Sequence, residues 1–384
     1  VMMDRKYKIP FALTILTFAL VGCSTNKIKV EEVKPNPLPK LAQAKSLVPV
    51  FSQSVSSTSK ADPLRLRLDV DNGVIFALDP KGEVAAYQGK QRVWEKKVSK
   101  QGLSSGVEAG EGTVVVGNKK GQLFALDQAT GEQKWTAQLT GSILSTSLIQ
   151  SGRVITVSND GTVYGHDLAT GQQVWTYNLP NVQFSLRGMA SPVALDPRTV
   201  LIASSNAYVY ALDILSGVPR MQRRVAVSDG RSDIQRLNDI DGDPVVAGQF
   251  LVTTSFQGQV TVTDLASQQV VWSEDASSIQ RPEVMNNTVF VAQADGKITA
   301  YALTTGEQLW QNDSLLNRQL SNPVVLGQDL VVGDLDGVLH LIDPTSGQLI
   351  GRSKTSGEVR SLREIDGQLY VSTRKGALSV WQNR

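Results

Sequence analysis

Residues 121–135 read Gly121-Gln-Leu-Phe-Ala-Leu-Asp127-Gln-Ala-Thr-Gly131-Glu-Gln-Lys-Trp135, and this pattern recurs along the chain. A second copy runs from Gly161 to Trp175 and a third from Gly296 to Trp310. Looser copies begin at residues 82, 206, 258, 337 and 376. The copies follow one another about every 40 residues. That period, with several short strands in each unit, is typical of the blades of a β-propeller.

The repeat also predicts its own local structure. Residues 122–126 form a β-rich run, and the following Asp127-Gln-Ala-Thr-Gly131 is a turn. The aspartate side chain can bond to its own backbone, while the glycine accepts the positive φ that closes a hairpin. An aromatic residue then follows on an outer strand, where its large ring is suited to fill the space between neighbouring sheets. Its fixed place in each repeat favours packing over ligand stacking. The predicted inter-blade aromatics are Phe51, Trp94, Trp135, Trp175, Trp272 and Trp310.

Counting the repeats predicts how the ring closes. The inner-strand position, filled by glycine except at Asn206, occurs eight times, but the chain reaches Arg384 with only seven outer-strand positions. Residues 49–55 resemble residues 93–98, with Phe51 in the place of Trp94. We therefore predict an all-β, eight-bladed propeller over residues 48–384, with seven blades as the alternative count. Its N-terminal strand completes the last blade and covers an edge that would otherwise be open to aggregation.

The first 23 residues have the features of an export signal. Basic residues at positions 5, 6 and 8 precede an apolar run from Ile9 to Val21 and then Gly22-Cys23. This run is shorter than the roughly 20 residues that span a bilayer, and the order of its parts is typical of a secretory signal. Leu20-Val-Gly-Cys23 resembles a bacterial lipobox, whose cysteine is acylated. We predict a lipoprotein signal peptide over 1–22 and lipidation of Cys23. An ordinary signal peptide with an incidental cysteine is the alternative.

Residues 23–47 are predicted to be a lipidated tether. They contain Pro35, Pro37 and Pro39 among polar residues, and few large apolar side chains. A fully extended chain of this length reaches roughly 80 Å. The residue after the cysteine is Ser24 rather than an aspartate, which is similar to the pattern of bacterial lipoproteins sorted to the outer membrane. The sequence leaves open whether translation starts at Val1, Met2 or Met3.

Composition excludes several classes of function. The 38 Lys and Arg residues are balanced by 36 Asp and Glu residues, giving a net charge of +2. A nucleic-acid binder needs a concentrated positive face, so we predict no nucleic-acid partner. The one cysteine excludes an intrachain disulfide and a cysteine-based zinc cluster. His166 and His340 are predicted to be structural residues. We predict neither a metal nor a cofactor.

The repeats resemble the tryptophan-docking repeats of PQQ-type propellers. Combined with the lipobox and a single eight-bladed body, they resemble the BamB family. This resemblance implies a lipoprotein of the outer-membrane β-barrel assembly machinery, held by its lipid anchor at the periplasmic face of the outer membrane of a Gram-negative bacterium. It implies binding to the POTRA domains of BamA and, through BamA, to the other lipoproteins of the machinery. Unfolded outer-membrane proteins are a further class of partner.

The same resemblance implies partner-binding residues. Residues 184–188 and 236–246 are similar to the family segments that contact BamA, and the matching positions are Phe184, Leu186, Arg187, Asp239 and Asp241. Phe184 stands where the family usually has leucine. Independently, repeat length rises to 46 between Trp175 and Met221 and to 51 between Met221 and Trp272. Extra residues in a repeat usually form loops on the binding face. The alternatives are that Leu186 is buried under its own loop and that the aspartates bond to turn amides or pair with a nearby arginine.

Two other functions remain open at this point. PQQ-type propellers include quinoprotein dehydrogenases, but those enzymes are longer and bind Ca²⁺ near the cofactor. This sequence has no carboxylate pair at a spacing that suggests acid–base chemistry. We therefore predict a non-enzymatic protein. The third possibility is a periplasmic scaffold for a different envelope partner, since propellers have many functions.

Overall fold

A computed structural model of the chain describes residues 34–41, 44–54, 66–180, 190–225, 240, 242–256, 258–374 and 376–384. Residues 1–34 form a unit of their own, and the account below concerns residues 35–384. In the described part of that range, 32 β-strands form eight four-stranded antiparallel sheets. None of the described residues belongs to a helix long and apolar enough to cross a membrane.

Each sheet is one blade, numbered I to VIII in chain order, and blade VIII includes the first strand of the chain. The first strand and those of blades I to III are β1 (Val48–Ser54), β2 (Asp69–Asp71), β3 (Val74–Asp79), β4 (Glu83–Gln88), β5 (Gln91–Lys97), β6 (Ser105–Gly110), β7 (Thr113–Gly117), β8 (Gln122–Asp127), β9 (Gln133–Gln138), β10 (Leu148–Gln150), β11 (Arg153–Val157), β12 (Thr162–Asp167) and β13 (Gln173–Asn178). Those of blades IV to VI are β14 (Val193–Asp196), β15 (Thr199–Ala203), β16 (Tyr208–Asp213), β17 (Pro219–Arg224), β18 (Val245–Ala247), β19 (Phe250–Thr254), β20 (Gln259–Asp264), β21 (Gln269–Asp275), β22 (Glu283–Met285), β23 (Thr288–Ala292), β24 (Ile298–Ala302) and β25 (Gln308–Asn312). Those of blades VII and VIII are β26 (Val324–Leu326), β27 (Asp329–Gly333), β28 (Val338–Ile342), β29 (Leu349–Lys354), β30 (Val359–Ile365), β31 (Gln368–Thr373) and β32 (Ala377–Gln382).

The hydrophobic core lies between blades rather than at one centre. Among the described residues, eight buried clusters form, and each draws its side chains from two blades that follow each other around the ring. In the cluster between blades I and II, for example, Phe76 and Val84 pack with Val116 and Phe124. The cluster between blades VIII and I contains Val380 and Ile75. The ring therefore closes with eight blades, as the repeat count predicts, and seven is wrong.

The strands of a blade differ in burial, and their sequences follow that difference. The second strand β15 reads Thr-Val-Leu-Ile-Ala and is buried along its whole length. Strands covered on both faces favour such continuous apolar runs. The fourth strand β9 lies at the outer edge, and only Trp135 in it is buried. This pattern explains why an aromatic residue at one fixed position, buried or partly buried, marks six of the eight outer strands in the sequence.

The N-terminal strand closes the ring, which confirms the prediction. β1 pairs antiparallel with β32, so blade VIII has the order β1-β32-β31-β30. Phe51 lies opposite Val380 in this pairing, in the same register as Trp135 opposite Ala125 in blade II. Its ring is buried, with its centre 6.2 Å from that of Tyr87 in blade I. Phe51 therefore occupies the tryptophan position of the last blade.

Each outer-strand tryptophan contacts the turn before the outer strand of the next blade. In blade II, Nε1 of Trp135 donates a hydrogen bond of 2.8 Å to the carbonyl oxygen of Leu168. The other donor–acceptor pairs are Trp94 with Gln128 at 3.0 Å, Trp175 with Ile214 at 3.0 Å, Trp272 with Leu303 at 2.7 Å and Trp310 with Pro344 at 2.8 Å. The repeat turn is shaped to receive the ring. Gly131 has a φ of +71°, and a Cβ there would lie 2.5 Å from Cε3 of Trp94.

Two blades have no aromatic residue at the tryptophan position, and the structure differs at each. In blade IV Met221 takes its place, and the facing turn position is Gln268 rather than glycine, still with a positive φ of 57°. Because the side chain of Met221 has no ring and is smaller than that of tryptophan, the facing turn has room for the Cβ of Gln268. In blade VII the position is Gly351, opposite Leu341. There, an earlier part of the chain fills the space.

That earlier part is the strap, which we define as residues 36–47. Lys45 forms a parallel bridge with Gly351, donating its amide to Ile350 at 2.9 Å and accepting from Arg352 at 3.0 Å. Leu47 is buried in the cluster between blades VII and VIII. At the other end, Asn36 accepts a hydrogen bond of 2.9 Å from Nη1 of Arg318. The strap lies within the range predicted to be the tether; the predicted boundaries at residues 22 and 47 stay predictions.

Candidate functional site

The residues implied to bind a partner lie outside the described residues. Phe184, Leu186 and Arg187 belong to 181–189, and Asp239 and Asp241 belong to the second long connection. Cys23 lies outside them as well. Their roles stay predictions. The described residues at the ends of both connections nevertheless show where these segments join the ring.

Both connections leave the same face of the propeller. Loop IV, residues 179–192, joins the outer strand β13 to the inner strand β14, and loop V, residues 225–244, joins β17 to β18. In a ring of antiparallel four-stranded blades, every connection between blades lies at the same end of the strands, and the turn between second and third strands lies there too. Loops IV and V are therefore neighbours on one face.

The described ends of the loops are fixed in the core. Val225 and Ile240 of loop V are 2% and 1% exposed and belong to the cluster between blades IV and V. Ala190 of loop IV is buried in the same cluster. The amide of Val225 also donates to the carbonyl of Ala207 at 2.9 Å. Buried side chains at these ends hold both loops to one pair of blades.

A single carboxylate joins the two loops. Oδ1 of Asp243 in loop V accepts a hydrogen bond of 2.7 Å from the amide of Ser191 in loop IV. Its Oδ2 accepts from Nη1 of Arg67 at 2.7 Å. Hydrogen bonds to an ionised acceptor are stronger than those between neutral groups. The segments that hold the predicted partner residues therefore end at one shared contact.

A pocket of about 270 Å³ opens between the starts of loops IV and V. Its lining residues are Pro180, Asn206, Tyr208, Tyr210, Gln222 and Arg224. The amide nitrogen of Asn206 donates to the carbonyl of Pro180 at 2.7 Å and to the Tyr210 hydroxyl at 3.1 Å. Tyrosine beside arginine is frequent at the energetic centres of protein interfaces. The pocket thus adds a feature that the sequence pattern did not predict, since Tyr208 and Tyr210 occupy ordinary strand positions.

The three arginines of β17 lie in different places, and Arg223 donates from Nε to the carbonyl oxygen of Gln268 in blade V. Arg224 lines the pocket, whereas Arg220 lies at the opposite end of the strand and pairs with Asp213, which Arg198 also contacts at 2.9 Å. Burial works to raise the pKa of Asp213, but the two arginines and Ser216 outweigh it and lower the pKa. Arg220 therefore contacts a turn on the other face through Asp213 and is not part of the pocket.

The two histidines are buried within blades. His166 stacks on Trp135 with ring centres 6.2 Å apart, and burial lowers its pKa to about 4. Nε2 of His340 lies 2.9 Å from Oδ2 of Asp334, which also accepts from Nε of Arg318 at 2.7 Å. Arg318 in turn holds the strap. Among the described residues, no group of three or more His, Cys, Asp or Glu side chains is placed to hold a metal ion.

Comparison with known proteins decides the family. A family model described as outer membrane protein assembly factor BamB matches residues 71–312 and 276–383. This chain belongs to the BamB family. A BamB of Salmonella typhimurium is 32% identical over 97% of this chain and 98% of its own length. The crystal structure of BamB from Moraxella catarrhalis superimposes with a TM-score of 0.82 at 34% identity, covering 88% of this chain and all of the other.

A likeness to an enzyme concerns the fold alone. A quinohemoprotein alcohol dehydrogenase from Comamonas testosteroni superimposes with a TM-score of 0.69 over 88% of this chain and 76% of that chain, but at 14% identity. Its architecture is shared with BamB proteins. The relatives in the BamB family are named as assembly factors.

Proposed function

We propose that this chain is a non-enzymatic scaffold in the assembly of outer-membrane β-barrel proteins, and that it binds the POTRA domains of BamA through loops IV and V. Membership of the BamB family supports the role in assembly. The contact between Asp243 and Ser191 carries the proposal for the surface, because it joins the ends of both predicted partner segments. The resemblance of residues 184–188 and 236–246 to the family segments supports BamA as the partner.

The described surroundings fit a docking surface. The loop ends are fixed in the core, so binding orders few additional backbone residues there. Preorganisation of this kind favours affinity by lowering the entropic cost of association. The tyrosine-lined pocket beside Arg224 offers a place for an anchoring side chain of the partner. Bound POTRA domains would be held in a fixed orientation, which sets the path of an unfolded barrel towards BamA.

Unfolded outer-membrane proteins are the second partner in this proposal. The outer strands leave one edge of each blade facing outwards, and Val93 in β5 and Val174 in β13 are 49% and 46% exposed. An extended segment can add to such an edge by β-augmentation. The edge of β29 is different, because the strap already pairs with it at Gly351.

Binding of purified full-length protein to the POTRA fragment of BamA from the same organism tests the proposal. We expect Arg187→Glu and Asp241→Arg each to weaken capture of the fragment at least 10-fold, in the range of losses at interface hot spots. Lys90→Glu and Glu132→Lys are matched controls, because both residues are exposed in turns on the opposite face. Binding that survives both loop substitutions unchanged would remove loops IV and V from the interface.

We also propose that Cys23 carries the lipid that holds the protein at the periplasmic face of the outer membrane. The lipobox-like residues 20–23 support this, and with one cysteine in the chain the test is simple. Cells grown with an alkyne-tagged palmitate should label the wild type but not Cys23→Ser. The variant should appear in the soluble periplasmic fraction. Equal labelling of both proteins would contradict the proposal.

A further inference from the structure

Arg67 lies at the start of blade I, just before β2, in a stretch where the sequence shows no repeat motif. It precedes β2 in blade I, between Leu66 and Leu68. Leu66 packs in the cluster between blades I and II, and Leu68 is buried in the cluster between blades VIII and I. The two leucines therefore pack on opposite faces of blade I and anchor the backbone of Arg67 in the ring.

The backbone of Arg67 is held by the neighbouring blade. Its amide donates to the carbonyl of Gly106 at 3.1 Å, and its carbonyl accepts from the amide of Val107 at 2.8 Å. The side chain is 24% exposed. The neighbouring blade therefore fixes the backbone position from which the guanidinium extends.

The side chain of Arg67 extends towards the opposite side of the ring, where it binds Asp243. Its partner Asp243 precedes the inner strand of blade V, and blades I and V are four places apart in a ring of eight, hence opposite each other. Nη1 of Arg67 lies 2.7 Å from Oδ2 of Asp243. Both side chains are mostly buried, at 24% and 20% exposure, so solvent screens the pair less than a surface pair.

Other charged groups also lie near Arg67. Nη2 of Arg67 lies 4.0 Å from Glu108 in β6. Asp69 is occupied by Arg363 from blade VIII and by the amide of Ala109 at 2.8 Å. Burial and the nearby Asp69 raise the pKa of Glu108 to about 7, although Arg67 acts to lower it.

From this geometry we propose that Arg67 is a positioning residue for partner docking: by binding Asp243, it holds together the ends of loops IV and V at residues 190–192 and 242–244, the points at which the predicted partner segments join the ring. The inference rests on the proposed function of these loops. Asp243 is the link, since one of its oxygens binds Arg67 and the other binds Ser191 of loop IV. Arg67 itself does not contact the partner. Its loss removes one hydrogen bond from the carboxylate of Asp243 and so weakens the contact between the two loop ends.

The test compares substitutions in the full chain. Arg67→Gln removes the charge, Arg67→Lys keeps it, and Asp243→Asn removes the acceptor charge. Arg363→Gln is the matched control, because it removes another arginine, which pairs with Asp69 rather than with loop V. Two measurements are made: deuterium uptake of peptides covering residues 190–192 and 240–244 in the free protein, and affinity for the POTRA fragment of BamA.

We expect Arg67→Gln and Asp243→Asn to raise deuterium uptake in both loops and to weaken POTRA binding on the order of 10-fold, a typical coupling between sites. The double variant should be no weaker than either single one, because both changes break the same contact. Arg67→Lys should bind nearly as the wild type does, and Arg363→Gln should change neither measurement.

Each of the other experimental outcomes contradicts a specific part of the proposal for Arg67. Unchanged uptake in Arg67→Gln would show that Arg67 does not hold the loops, whatever the binding data. Raised uptake with unchanged binding, or equal weakening by Arg363→Gln, would remove the positioning role. If the wild type itself fails to bind the POTRA fragment, the proposed function falls, while the uptake measurement still decides whether Arg67 fixes the loops.

Discussion

Replacing Gly131 by alanine tests how the tryptophans hold neighbouring blades together. Gly131 has a φ of +71°, and its Cβ would lie 2.5 Å from the ring of Trp94. The left-handed backbone costs an alanine about 1–2 kcal/mol. Forcing the ring to move costs about 1–3 kcal/mol more, the usual range for overpacking a core. We therefore expect Gly131→Ala to lower the free energy of unfolding by about 2–5 kcal/mol.

Gly152→Ala is the matched control for this prediction. Gly152 also lies in a turn and has a φ of +69°, but no heavy atom of the described residues lies within 4 Å of the place that a Cβ would take. It should lose only the backbone contribution of about 1–2 kcal/mol. Urea unfolding followed by tryptophan fluorescence measures both variants. Equal losses in Gly131→Ala and Gly152→Ala would show that contact between the tryptophan and the next blade does not require the glycine.

Three further predictions concern buried groups. The pKa of His166 is lowered to about 4, so the native state binds fewer protons than the unfolded state between pH 6.5 and 4. Protonation of His166 therefore lowers the free energy of unfolding by about 3 kcal/mol over this range. In His166→Phe, the decrease in stability between pH 7 and pH 4, measured by urea unfolding, should be smaller by this amount. For Glu108 the sign is opposite: its pKa is raised to about 7, so stability falls as pH rises from 4.5 to 7, and Glu108→Gln should raise the melting temperature more at pH 8 than at pH 4.5. Phe51→Ala should lower the free energy of unfolding by about 3–5 kcal/mol in the same urea assay, and a loss below about 1 kcal/mol would contradict its packing role.

The architecture was accessible from the sequence because each repeat is locally complete. Asp127 binds the amide of Thr130 in its own turn at 2.9 Å, and Trp135 lies at a fixed distance from it along the chain. Phe51 could be placed because residues 49–55 copy the pattern of another outer strand, and the register of β1 with β32 agrees. Local chemistry repeated eight times gives a signal that no single copy would give.

Contacts between distant parts of the chain were not accessible in the same way. Arg67 and Asp243 are 176 residues apart, and neither belongs to a repeated pattern. The strap was missed for a similar reason, because Leu47 follows a proline-rich stretch and its partners lie in blades VII and VIII. Gly351 lies at the outer-strand position of the repeat that begins at residue 337, and the repeat pattern did not predict that the backbone of Lys45 packs against it. For the implied partner residues of loops IV and V, sequence resemblance remains the basis.

Closure of the ring by β1 and β32 has a consequence for the order in which the molecule matures. A ribosome makes Phe51 near the beginning of the chain and Val380, which it faces, near the end. Seven blades can therefore form one after another during synthesis, whereas blade VIII can form only after both β1 and β32 have been made. Any product that stops short of β32 keeps two unpaired edges, and such edges attract aggregation and proteolysis. Only a chain that contains both β1 and β32 can pair these edges, so the β1–β32 pairing distinguishes closed molecules from truncated ones.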